Sequence, residues 1–257
     1  MNKAMKKGLM PSMLIVLLIL FLLSTGIVLA GQNQKTNEEA MALHHLQMAY
    51  LNHGLAMAVS GSNVAMLAEL SRTPEVDPVL EKHGMSALQR GQELIQRGMT
   101  GPEMKKLHKR YRQKESPQTM TYVHSLGKAM LAYVELLGNM DAPRPLEPEH
   151  IRALHHMHMG LNHALGSAVQ GSNLILLGEM GMEPTEDIED IKDGKLMIAN
   201  ARTLWTYLLE GPPMKQLMQI VLIKEERTEE TEVMARTHSI GKAGEKILNL
   251  FASRPHD

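Results

Sequence analysis

After residue 36 the apolar positions recur every third or fourth residue, which is the spacing of one helical face. At 100° per residue, with His45 set at 0°, Leu51, Leu55, Ala58 and Val59 fall between about 220° and 320°. Asn52 and Asn63 lie at the edge of that arc, His53 points away from it, and Glu69 falls inside it. The same reading along the chain predicts helices over 37–71, 77–98, 102–114 and 117–139, then over 149–181, 186–209, 212–225 and 228–252. Acidic Pro-containing stretches end the first helix of each set, and a Gly-Pro pair opens the third, where proline suits the first helical position. The closely spaced Pro143, Pro145 and Pro148 mark a linker over 141–148.

The two sets of helices are copies of one another. A shift of 110 residues lays Leu51–Asn63 (LNHGLAMAVSGSN) on Leu161–Asn173 (LNHALGSAVQGSN), with nine of thirteen positions identical. It also pairs His45 with His155, Glu69 with Glu179, Gly84 with Gly194, and GPEMKKL at 101–107 with GPPMKQL at 211–217. A four-residue insertion moves the shift to 114, which pairs HSLGKA at 124–129 with HSIGKA at 238–243. The expected fold is therefore all-α, a tandem duplication of a four-helix unit, with repeat 1 over 37–140 and repeat 2 over 149–252. It is built either as two up-down bundles or as one fused eight-helix domain.

Residues 1–30 break the helical pattern in a different way. Lys3, Lys6 and Lys7 precede the apolar run from Leu14 to Leu23, and Ser24-Thr25-Gly26 and then Ile27-Val28-Leu29-Ala30 follow. This is the order of a secretory signal peptide, with an uncleaved anchor as the alternative. The rest of the chain is expected in the periplasm or another extracytoplasmic space, held at the inner membrane by that segment alone if the segment is the uncleaved anchor. Downstream of residue 30 the net charge is −4, which argues against a nucleic-acid partner.

Cysteine is absent and aromatic residues are few, with one Trp, five Tyr and two Phe against 22 Met. The absence of cysteine excludes disulfides, thiolate metal sites and CxxCH haem attachment. In such a chain His and Met are the available soft ligands. His45, His53 and His124, with their counterparts His155, His163 and His238, are candidate metal ligands, joined by the cluster of His156, His158 and Met159. Copper suits imidazole with thioether best. Asn52, Asn63 and Glu69, with Asn162, Asn173 and Glu179, are the shared polar residues that would support such a site.

His83 and His108 are replaced by Asp193 and Met218 in the second copy, so a strict ligand set would differ between the halves. HExxH, paired ExxH, GxSxG and phosphate-binding loop motifs are all missing, and no enzyme is expected. The leading functional expectation is a store, buffer or carrier of a transition metal, copper foremost. One alternative is a haem b bundle with two axial His, in which Gly61 and the other small residues would make room for the macrocycle. The other is a ligand-free scaffold or sensor domain, with the shared His and Asn forming a polar network between helices.

Overall fold

The computed structural model describes residues 41–70, 77–111, 118–138, 148–181, 184–225 and 232–255, and every regular element among them is helical. The expected leader over 1–30 and the linker residues 141–147 lie outside the described residues, while Pro148 opens a helix. Among the described residues no helix is long and apolar enough to cross a membrane.

Helix α1 passes through a π-helical turn, Gln47–Asn52, into the α-helix His53–Leu70. It is followed by α2 (Asp77–Thr100), α3 (Pro102–Tyr111) and α4 (Gln118–Gly138). The second set is α5 (Pro148–Met180), α6 (Pro184–Glu210), α7 (Pro212–Glu225) and α8 (Glu232–Ala252). Among the described residues four of these helices begin at proline, whose missing N–H costs nothing in a first turn. Helix α5 ends at Gly181, which takes φ +64°, a left-handed conformation that glycine adopts without strain.

Residues Leu43–Asp257 form one compact unit. Helices α1, α4, α5 and α8 make its centre, with α1 against α5 and α4 against α8. Helix α2 packs outside α1 and α4, and α6 outside α5 and α8. The apolar arc predicted for α1 is the buried one, since Leu51, Leu55, Ala58 and Val59 are all in the core beside Leu161, Leu165, Ala168 and Val169. Each fully buried Leu contributes about 1.5–3 kcal/mol relative to an exposed one. Tyr133 of α4 meets Trp205 of α6 with ring centroids 6.4 Å apart.

Helix contact explains the mid-helix glycines Gly61, Gly84, Gly171 and Gly194. A Cβ on Gly84 would come 2.6 Å from the carbonyl oxygen of Gly61, and one on Gly171 would come 2.6 Å from that of Gly194. Thus α1 and α2, and likewise α5 and α6, touch backbone to backbone. The space that a flat cofactor would have needed beside Gly61 and Gly171 is filled by the neighbouring helix.

The π turn has a register consequence. Seven residues separate His44 from Leu51, but six separate His155 from Leu161. A π-helical turn absorbs one extra residue in an otherwise α-helical run. Before the turn, therefore, His44, Leu46 and Gln47 hold the places of His155, Met157 and His158, and all six are buried. This corrects the gapless pairing of His45 with His155: His45 is exposed, and His44 stands in the matching position.

Candidate functional site

The polar residues shared by the two halves meet across the contact of α1 with α5. Asn52 Nδ2 donates to Asn173 Oδ1 at 2.7 Å, and Asn162 Nδ2 donates to Asn63 Oδ1 at 2.8 Å. Each bond is the other with the halves exchanged. Asn52 and Asn162 are both fully buried, where an unbonded amide would be costly. Tyr133 donates its hydroxyl hydrogen to Asn162 Oδ1 at 2.8 Å, which ties α4 into the same seam.

The carboxylates follow the same exchange. His155 Nε2 donates to Glu69 Oε2 at 2.6 Å, and His44 Nε2 lies 3.6 Å from Glu179 Oε2. Glu69 and Glu179 fall inside the apolar arc because each finds an imidazole on the opposite half. Lys128 and Lys242 are exposed.

The exchange fails at Tyr133, whose matching position is Ile247, and at two further places. Arg254, near the C-terminal end of α8, reaches Glu179 Oε2 at 2.7 Å with its guanidinium almost entirely buried. In the seam, Gln47 Nε2 and Asn52 Nδ2 both donate to Ser172 Oγ, at 3.2 and 3.1 Å. Ser62, the counterpart of Ser172, has a buried Oγ without a hydrogen-bond partner. The cause is His158, which stands where Gln47 stands but turns to Thr237 Oγ1 at 3.2 Å. Burial holds the His158 imidazole down to about 3, and the nearby His155 and Arg236 act in the same direction.

The candidate metal ligands are mostly dispersed. His45, His53, His156, His163 and His238 are exposed, and Met159 is half-buried. His155 and His158 are buried, yet their Nε2 atoms are engaged by Glu69 and Thr237. Among the described residues no three His, Asp or Glu side chains converge on a point that would hold a metal ion. Helix α4 does pack on α1, but His124 turns to His108 of α3 instead, with ring centroids 5.7 Å apart. Burial lowers the pKa of His124 below its ordinary value, with His108 and Lys128 contributing in the same direction.

Sequence reasoning missed His44 and Arg254. The signal for His44 was present as a second histidine beside His45, but reading it requires knowing that one residue is absorbed in a π turn. Arg254 lies beyond the repeat expected to end at 252. Comparison with protein-family models, curated proteins and solved structures finds no match for this chain.

Proposed function

We propose that this chain is an exported, non-enzymatic helical domain acting as an extracytoplasmic scaffold or sensor, built by tandem duplication and fused into one eight-helix body. The observation that carries this reading is the reciprocal pair of bonds Asn52 to Asn173 and Asn162 to Asn63. Residues retained in both halves are used to join the halves, which is the role expected of a buried network that specifies one arrangement. A metal carrier would instead direct its retained side chains at an ion. The first experiment is elemental analysis and an optical absorption spectrum on protein isolated from a periplasmic extract, before and after titration with copper and haem. A colourless, metal-free product that takes up neither is the expected result. Stoichiometric metal or a Soret band would overturn it.

A second reading, a copper site in the first half only, is favoured by His108 and His124. Their rings are in contact, and His124 Nδ1 is buried without a hydrogen-bond partner. The Met99 thioether packs against Gly127, one turn further along α4. Two imidazoles and a thioether suit Cu(I). This reading requires that Cu(I) bind the protein and that His108→Ala and His124→Ala each abolish that binding. Unchanged affinity in both variants would remove it.

A further inference from the structure

The two halves each contain a pocket between the first, second and fourth helices of their set, and the pockets differ in what occupies them. In the second half the pocket is about 150 Å³, lined by Ile175, Lys195, Ile198, Phe251, Ala252 and Arg254 among others. In the first half it is about 340 Å³, and the matching positions carry Ala65, Met85, Leu88, Leu137 and Gly138. The larger volume follows from smaller side chains, Ala for Ile, Leu for Phe and Gly for Ala. Glu69, Glu81, Ser62 and His155 also line it, and no Lys or Arg does so among the described residues.

The second pocket indicates what the first would take. Arg254 lays its guanidinium there on Glu179 Oε2, and the imidazole of His44 stands at 3.6 Å from the same oxygen. In the first pocket His155 closes on Glu69 Oε2 to 2.6 Å, and the Glu69 side chain is 39% exposed against 19% for Glu179. Two carboxylates replace one, because Glu81 stands where the second half has Ile191. Met85 stands in place of Lys195, so a repelling charge is also removed. Ser62 Oγ, 1% exposed by residue and without a hydrogen-bond partner, lines the cavity as an unused polar group.

We propose that the first-half cavity binds a small organic cation, an alkylguanidinium or alkylammonium, with its charged head on Glu69 and its stem along Met66, Met85 and Leu88. Arg254 is the covalently attached version of that ligand in the other half. The head group displaces the His155 contact as Arg254 holds His44 off Glu179, and Glu81 supplies the second negative charge at the mouth. The inference goes beyond the scaffold or sensor reading by naming a ligand class, and it fails independently of that reading.

The test is calorimetric titration of the full-length protein in detergent with n-butylguanidinium, n-butylammonium and, as the neutral control, n-butanol. The expected result is saturable binding of the two cations, with butanol weaker by about tenfold or more. Glu69→Gln and Glu81→Gln should each weaken cation binding by about tenfold, and Ser62→Ala should weaken it without lowering the melting temperature. Because Glu69→Gln removes a partner of His155, Glu81→Gln on the exposed rim keeps the test valid if the first variant does not fold. No saturable cation binding up to about 10 mM, tenfold weaker than a millimolar Kd, would overturn the proposal. So would equal binding of butanol, or Zn(II) binding at Glu69 and His155 with no response to either organic cation.

Discussion

His158 carries the clearest consequence at the scale of a single residue. Unfolded, its imidazole takes up a proton near pH 6.5, whereas folded it stays neutral down to about pH 3. Between these values the unfolded chain binds more protons, so stability falls as pH falls through that window, by up to about 1.4 kcal/mol per pH unit. Gln47 fills the matching place in α1 and cannot titrate. His158→Gln is therefore expected to flatten the decline in melting temperature between pH 6.5 and 4, and an unchanged slope would show that another group governs acid sensitivity. Arg254 offers a second test. Removing one partner of a buried ion pair costs about 3 kcal/mol, so Arg254→Ala should be destabilised by about that much in urea. Millimolar butylguanidinium should restore part of the loss if the vacated pocket accepts a free cation, and restoration by butanol alone would argue for simple cavity filling.

At the scale of an element, two features of the helices can be separated by substitution. Gly171 sits against the Gly194 carbonyl, whereas nothing lies within 4 Å of a Cβ built on Gly166. Gly171→Ala should therefore destabilise by about 1–3 kcal/mol through overpacking. Gly166→Ala, on the same helix, should stabilise by about 0.5–1 kcal/mol by removing backbone freedom from the unfolded chain. Denaturant midpoints of the two variants should move in opposite directions. The π turn makes a different prediction. Deleting the exposed Ala49 removes the extra residue and lets α1 continue as a regular helix in the register that α5 already has. Deleting Gly160 from α5 should rotate His155, Met157 and His158 away from the core by about 100°. The first deletion is expected to fold with a melting temperature near that of the parent, and the second to lose the cooperative transition.

On the scale of the whole molecule, the central contacts run between halves, α1 with α5 and α4 with α8. Neither half closes its core alone, since Asn162 depends on Asn63 and Tyr133, and Tyr133 packs on Trp205. Thermal unfolding followed by calorimetry should show one transition with matching calorimetric and van't Hoff enthalpies. Two resolved transitions would mean that the halves fold independently. The two pockets of this body differ in their lining, the second carrying Arg254 with the bulkier Phe251 and Ile175.

Helical character, the buried stripe of α1 and the proline starts of α3 and α7 were legible in the amino-acid order. They depend on local periodicity, and local periodicity is printed in the chain. The need of Glu69 for a partner was legible too, because a carboxylate within an apolar arc must be answered. Which partner answers it was decided only in three dimensions. His155, His44 and Arg254 reach their carboxylates from helices far away in sequence, and the π turn exchanges His45 for His44 at the core by adding one residue to one coil. Five of the six duplicated histidines thought to converge are divided by helix rotation: His45, His53, His163 and His238 face outward and only His155 faces inward, while His124 turns to His108. A repeat reveals which residues were kept; helix packing across the halves determines what each of them touches.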